Sequence, residues 1–331
     1  MNASVALAGI ELTDPELTSR VSDGLARVES LLHRELASEF SFVTEAASHL
    51  MDAGGKRFRP LFTLVAAGVG PQPDNEDVIV AAAVTELIHL ATLYHDDVMD
   101  EADLRRGAKS ANARWDNSIA ILTGDFLFAH ASRLVAGLGP DAVRIIAETF
   151  AELVTGQTRE TVGPSVGQDP IAHHLRVLDE KTAALIDTCG RYAGMFSGAT
   201  EQQIGALRRY SRAIGVAFQI SDDILDLTST DSGKTPGTDL REGVPTLPVL
   251  FTLADPDADP RLTQLVSGPI ADEAGIAEAR ELLRESTGMR RAKDVLGDYA
   301  AAARAALADL PPSSSVDALG SLLPFVVDRT H

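Results

Sequence analysis

Apolar residues recur along most of this chain at spacings of three and four, the pattern of helices that bury one face. In "TDPELTSRVSDGLARVESLLHREL", Leu17, Val21, Leu25, Val28 and Leu32 keep that spacing behind an Asp14 cap and a first-turn Pro15. "DNEDVIVAAAVTELIHLATLYHDDVMD" predicts a long Ala-rich helix with acids at its start, where the helix dipole favours them. "NSIAILTGDFLFAHASRLVAGLG" ends at Gly139-Pro140, and "PDAVRIIAETFAELVTGQT" begins at once. "EQQIGALRRYSRAIGVAFQISDDILDLT" is another long helix, and shorter ones are expected over 246–255, 272–286 and 288–309. Period-two alternation is nearly absent. The expected fold is therefore all-α, a large helical bundle of about a dozen helices. It forms a single domain over 1–331, with 1–13 as a flexible tail, because no Ser/Gly/Pro linker divides the chain. "TVGPSVGQDP" and "STDSGKTPGTDLREGVPTLP" read as loops between helices, and loops as long as the second tend to be functional.

Composition narrows the function. Of 331 residues 45% are hydrophobic but only 5% aromatic, so the core is built from Ala, Val, Leu and Ile. The net charge of −19 repels nucleic acid and anionic membrane, which argues against either as a partner. An anionic substrate would need local basic groups or a metal. The one cysteine, Cys189, cannot form an intrachain disulfide, and a reducing, cytoplasmic setting is expected. No basic n-region marks a signal peptide. No uninterrupted apolar run reaches the roughly 20 residues of a membrane span, so no transmembrane segment is expected.

The chemistry lies in an internal echo. "HDDVMD" (95–100) and "SDDILD" (221–226) share the pattern DDxxD, and each ends a long apolar helix. On a helix, Asp96 and Asp100 fall on one face roughly 6 Å apart, with Asp97 turned by about 100°. Like charges so placed repel unless a cation joins them. Carboxylates select hard cations, and Mg²⁺ commonly takes one or two of them and completes its shell with phosphate oxygens. A solvated acidic helix end is the commoner explanation for one such motif; two, each after an apolar run, fit it poorly. Basic groups accompany them: Lys56, Arg57 and Arg59 in "GGKRFRP", and Arg105 and Arg106 after the first motif. Arg offers bidentate phosphate contacts and Lys a point charge. His89 alone on "ELIHLATLY" would be a core histidine. His173 and His174 are expected at the surface, and Cys189 reads as a buried small residue with no partnered base.

At these residues the chain resembles the trans-isoprenyl diphosphate synthases, or polyprenyl synthetases, over about 50 to 255. Seven stretches carry the likeness in order: "GGKRFRP", "HLATLYHDDVMDEADLRRG", "GDFLFAHA", "EKTAAL", "FQISDDILD", "GKTPGTDL" and "TLPVL". The resemblance implies an all-α homodimer with a deep central cavity. It implies Mg²⁺, about three ions per active site with substrate bound, with Mn²⁺ as a substitute. The diphosphate of an allylic primer leaves, isopentenyl diphosphate attacks the resulting cation, and proton loss restores a trans alkene. Asp96 and Asp100 resemble direct metal ligands with Asp97 supporting; Asp222 resembles the main ligand of the second motif, backed by Asp223 and Asp226. Arg105 would hold the allylic diphosphate. Lys56, Arg59, His89 and Arg106 would hold isopentenyl diphosphate. Lys181, Thr182, Gln219 and Lys234 match further allylic-diphosphate and cation-stabilising positions. Asp96, Asp100, Asp222, Lys181 and Lys234 make up the catalytic set. Many relatives carry a lysine where this chain has Val244, which removes one diphosphate contact.

Product length is read from the residues before the first motif. Short-chain members place a bulky aromatic four or five positions ahead of the first aspartate; here those positions are Thr92 and Ala91, with Ile88 one turn further. Small residues leave the tunnel open, and burial of about 0.8 kcal/mol per CH₂ then favours continued elongation. A product of C30 to C50 is expected, as in medium- and long-chain members. A floor from Phe126, Phe128 or Leu134 would give C20 instead. A terpene cyclase would lack "GGKRFRP", "RRG" and the second DDxxD, and a non-catalytic subunit of a heteromeric synthase would have lost acidic motifs.

Overall fold

The computed structural model describes residues 5–228 and 237–328. Among the described residues the chain is mostly helical, with only two short hairpins, which settles the fold class as all-α. Seventeen α-helices, more than the dozen expected, are described; several are single short turns in the loops. The chain groups into two compact units, each drawn from three separate segments, where the sequence suggested one domain. This interleaving explains why no linker is visible in the sequence.

The first unit comprises the described parts of Met1–Ala151, Leu185–Arg208 and Leu307–Ser321. Its axis is the helix Glu76–Met99, opened by Asn75, whose side chain accepts from Asp77 N. From Val78 to Ile88 all but one residue is buried, so this helix is apolar on every side and is enclosed by its neighbours. Pro15–Leu36, Phe58–Ala66 and Asn117–Gly137 pack on it. Gly124 permits the last of these contacts: a Cβ there would lie 2.2 Å from Nε2 of His95. Tyr94, fully buried, donates its hydroxyl to Ala46 O at 2.5 Å and accepts from Leu50 N at 3.2 Å, tying the helix to Ser41–Asp52.

The tail expected over 1–13 is instead partly ordered. Val5–Leu7 pairs antiparallel with Ile10–Leu12 in the register Val5↔Leu12, through Ala8 and Gly9, both at positive φ. Such a two-residue turn matches the twist of a hairpin. Burial of Ile10 and Leu12 and the bond from Glu11 N to Ser321 Oγ (2.8 Å) hold it. Glu76–Met99 and Asn117–Gly137 are long and apolar enough to cross a membrane by length and composition, although Glu86 and Asp125 interrupt them; the first is 72% buried and the second 33%.

The second unit comprises the described parts of Glu152–Ala184, Arg209–Ala306 and Leu322–His331. The helix Glu201–Thr228 ends here. Arg280 Nε and Arg284 Nη2 donate to its last carbonyls, Leu227 O at 2.9 Å and Thr228 O at 3.0 Å. Cations so placed satisfy carbonyls that the helix itself leaves open. Ser221 Oγ, one residue before the second motif, donates to Val326 O at 2.8 Å.

Tyr94→Phe tests how firmly the helix of the first motif is anchored. Loss of the buried hydroxyl should destabilise the protein by about 1 kcal/mol. Denaturant unfolding checks this, and an unchanged midpoint would show that the bond to Ala46 contributes nothing.

Candidate active site

In the first unit the helix Glu76–Met99 delivers the first motif at its C-terminus, where Asp100 N donates to Asp96 O at 2.8 Å. The three aspartates are not equivalent. Asp100 is exposed, Asp96 half-buried and Asp97 fully buried. Arg105 Nε donates to Asp97 Oδ1 at 2.6 Å, while Oδ2 is buried without a hydrogen-bond partner. Burial raises the Asp97 carboxyl above its ordinary range, against the pull of Arg105. Asp97 thus faces inward as a strut, and its oxygens are not turned outward as a ligand's would be.

Arg105 and Arg106 diverge because they straddle a hairpin. Leu104–Arg105 pairs with Ala108–Lys109, and Arg106 (φ 55) and Gly107 (φ 78) form the turn. Arg105 reaches back to Asp97 and lies 4.0 Å from Asp100 Oδ2. Arg106 Nη1 donates to Leu50 O at 2.8 Å and Gly54 O at 2.5 Å. Gly55 makes room for it, since a Cβ would sit 2.9 Å from the guanidinium carbon.

The "GGKRFRP" stretch enters the helix Phe58–Ala66 through Arg57 in the left-handed region, φ 45. Arg57 grips Glu29 through Nε (2.9 Å) and Nη2 (3.1 Å), and stands 3.8 Å from Glu86. Glu86 is only 2% exposed. Burial raises its carboxyl, while Arg59, Arg57 and Arg106 draw it back toward the ionised form. Burial lowers Arg59 and Arg106 in turn. The Nε of Arg59 is buried with no hydrogen-bond partner among the described residues. Lys56 is exposed. His89 is driven well below its ordinary value by burial first, then by Arg59, Arg106, Arg105 and Arg57, so it is neutral. This cluster is a local excess of cations with one unmet buried donor, and an anion would relieve both.

Ile88 and Ala91 are buried and Thr92 is half-buried, its Oγ1 bonded to His89 O at 2.9 Å. Cys189 is buried, its thiol pushed up to about 11 by burial, and is no nucleophile.

In the second unit Lys181 and Thr182 lie on a π-helical turn, Asp179–Ala183. Gly156 lets another helix touch that turn: a Cβ there would come within 2.6 Å of Lys181 N. Glu180, 4% exposed, is held by Arg159 (2.8 Å) and Arg176 (2.7 Å). Lys181 Nζ pairs with Glu160. Thr182 Oγ1 donates to Gln219 Oε1 at 3.2 Å, and Gln219 Nε2 donates to Asp223 Oδ1 at 3.0 Å. Asp223 is 7% exposed, and its other oxygen lies 3.5 Å from His174 Nε2. Asp222 and Asp226 are half-buried. Asp226 accepts from Asp239 N through Oδ2 (3.2 Å) and from Gly237 N through its carbonyl (3.0 Å). Val244 is half-buried and donates its N–H to Asp239 O at 2.8 Å. Lys234 lies outside the described residues.

Two histidines expected at the surface are not: His173 is buried and His174 half-buried. His173 is 7% exposed, with its Nε2 donating to Arg159 O at 3.2 Å, and the His174 side chain is 13% exposed. Apolar helical spacing would have placed His174 on an inner face, because Ile171, Val177 and Leu178 share its short helix Pro170–Leu178.

Among the described residues no group of three or more His, Cys, Asp or Glu side chains forms a ready metal cage. A Mg²⁺ ion commonly takes only one or two carboxylates when phosphate oxygens supply the rest. In the first unit the Asp96 and Asp100 carboxylates, not enclosed as Asp97 is, suit a hard cation, and the unmet Arg59 donor suits a diphosphate oxygen.

The neutral state of His89 has a consequence for pH. An unfolded His89 takes up a proton below about pH 6.5, whereas the folded one resists it, so its contribution to stability is lost as pH falls below that value. His89→Gln should therefore lose less stability than the unsubstituted protein between pH 7 and pH 5. Equal losses in denaturant titrations at both pH values would show that His89 ionises freely in the fold.

Comparison with known proteins shows the family. The polyprenyl synthetase family model matches residues 41–283. The chain is 55% identical to a nonaprenyl diphosphate synthase of Mycobacterium tuberculosis (strain ATCC 25618 / H37Rv), over 98% of each chain. It is 46% identical to a dimethylallyltranstransferase of the same organism, over 97% of this chain and 98% of that one. Among solved structures it is similar to a geranylgeranyl pyrophosphate synthase from Corynebacterium glutamicum complexed with calcium and isoprenyl diphosphate. That likeness has TM-score 0.88 and 49% identity, and covers 98% of this chain and 99% of the other. With the family model spanning most of its length and a relative at 55% identity covering nearly all of it, the chain belongs to the polyprenyl synthetase family, and it is a prenyltransferase.

Proposed function

We propose that this protein condenses isopentenyl diphosphate with an allylic diphosphate to make a trans-polyprenyl diphosphate of C30 to C50, as the name of its nonaprenyl relative suggests. The arginine cluster around His89, with its unmet Arg59 donor, carries this reading, because a second anionic substrate is what distinguishes a chain-elongating synthase from a cyclase.

Arg59, Arg106, neutral His89 and the exposed Lys56 would bind isopentenyl diphosphate. Arg105 would exchange its contact with Asp97 for the allylic diphosphate, and Lys181 would leave Glu160 to do the same. Thr182, Gln219 and Lys234 would complete the allylic side. Asp96, Asp100, Asp222 and Asp226 would hold Mg²⁺, with Asp97 and Asp223 setting the posture of their motifs. When bound, Mg²⁺ supplies Lewis-acid stabilisation of the leaving diphosphate. The protein's own part is to orient both substrates and keep water from the developing cation. Ile88, Ala91 and Thr92 would line the path of the growing tail. Ala91 and Thr92 are too small to block it, which favours products beyond C15.

A homodimer is supported by Ile121 and Leu122, which stand 44% and 62% exposed on the helix Asn117–Gly137 and would be covered by a second copy. A cytoplasmic setting remains the reading that the single, buried Cys189 favours.

Purified protein should elongate C5 to C20 primers with labelled isopentenyl diphosphate and Mg²⁺, and EDTA should abolish the reaction. No elongation of any primer would sink the proposal. Asp96→Ala should lower turnover by orders of magnitude in a folded protein. For product length, Ala91→Phe is expected to shorten the chain; an unchanged distribution of dephosphorylated products would place the tunnel floor elsewhere.

A further inference from the structure

We infer that His174 is a positioning residue for the second aspartate motif, acting through Asp223. The inference rests on the proposed reaction and adds to it a residue outside the aspartate, lysine and arginine set.

His174 lies on the short helix Pro170–Leu178, ahead of the turn that carries Lys181 and Thr182. Its Nε2 stands 3.5 Å from Asp223 Oδ2, and both atoms are fully buried without a hydrogen-bond partner. The other oxygen of Asp223 is already committed, accepting from Gln219 Nε2 at 3.0 Å, and Gln219 accepts from Thr182 at 3.2 Å. Asp223 is thus enclosed, with one oxygen fixed by Gln219 and the other facing the His174 ring. A buried carboxylate oxygen and a buried ring nitrogen left apart are both unsatisfied, and a closure of a few tenths of an ångström gives a normal bond.

The neighbouring His173 does something different. Its Nε2 is used by the Arg159 carbonyl, so it belongs to the packing of its own helix. Of the two histidines only His174 faces the motif. A donor at Asp223 Oδ2 holds that carboxylate inward and fixes the rotation of the helix end, on which Asp222 and Asp226 are carried. This is how outer partners commonly act on metal-binding carboxylates, and their loss weakens metal affinity about tenfold or more.

Three variants test the assignment: His174→Phe, which keeps a ring without a donor; His174→Gln, which restores an N–H; and Asp223→Asn. Calorimetric binding of inorganic diphosphate with Mg²⁺ is read alongside the KM for each substrate. His174→Phe should weaken that binding about tenfold and raise the Mg²⁺ concentration for half-maximal rate, leaving the KM for isopentenyl diphosphate unchanged. His174→Gln should recover most of the loss. In an Asp223→Asn background, His174→Phe should add nothing. Unchanged binding in His174→Phe overturns the inference, as does equal failure of Phe and Gln, or a full additional loss in the Asp223→Asn background. The calorimetric readout does not depend on elongation, so a chain that binds diphosphate but elongates no primer would refute the reaction and still decide the role of His174. Should His174→Phe not fold, the comparison of His174→Gln with Asp223→Asn decides it: diphosphate binding near that of the unsubstituted protein in the first and weakened in the second supports the role, and any other pair of results opposes it.

Discussion

Glu86, a carboxyl group 2% exposed on an apolar helix, is the group around which the arginine cluster of the first unit is arranged. A buried charge is tolerated only with a partner beside it. Here Arg59, Arg57 and Arg106 offset part of the effect of burial, which still raises the carboxyl. The relation also runs the other way. These arginines repel one another, and Glu86 with Glu29 lets them stand close. The acids do not cancel them all: Arg59 keeps an unmet Nε, and His89 is held neutral by burial first and by the surplus of arginines second. In a chain of net charge −19, this keeps a locally positive cluster, which the proposed binding of a diphosphate would use.

Local backbone form serves that arrangement. Arg57 takes a left-handed conformation so that its guanidinium turns to Glu29, and Gly55 leaves space for Arg106. Arg106 occupies a turn position where only a positive φ closes the hairpin, and that sends its side chain to the carbonyls of Leu50 and Gly54 while Arg105 turns to Asp97. Two adjacent arginines acquire different tasks from one turn.

Much of this was legible in the sequence, and the reasons it was or was not are physical. Long helices announced themselves through apolar spacing and caps: Asp14 accepts from Leu17 N as its position suggested, whereas the Asn75 cap went unread. The hairpins escaped because strands of two or three residues give too little alternation, and Ala8 and Arg106 are poor advertisements for positive φ. The aspartate motifs were visible as a repeat. The contacts of Asp97 and Asp223 were not, since nothing in the spacing says which acid is enclosed. The π turn at Asp179–Ala183 has no sequence signature; it depends on Gly156 meeting the backbone and on Glu180 being clamped by two arginines. His174 was missed because two adjacent histidines near a glycine-rich loop look solvated.

The two DDxxD motifs, taken one at a time, solve the same steric problem. The first and fifth positions share a helix face, and the second is swung about 100° from the first. In the first motif that second aspartate is fully buried against Arg105, and in the second it is 7% exposed against Gln219 and His174. An enclosed carboxylate demands a donor from elsewhere in the chain. In each motif that donor belongs to the proposed diphosphate-binding set: Arg105 in one, and Gln219, itself bonded to Thr182, in the other. On the proposed function, the inward aspartate would couple the posture of the metal-binding pair to the groups that grip the substrate. A motif with only its first and fifth acids would keep the metal-binding oxygens and lose that coupling.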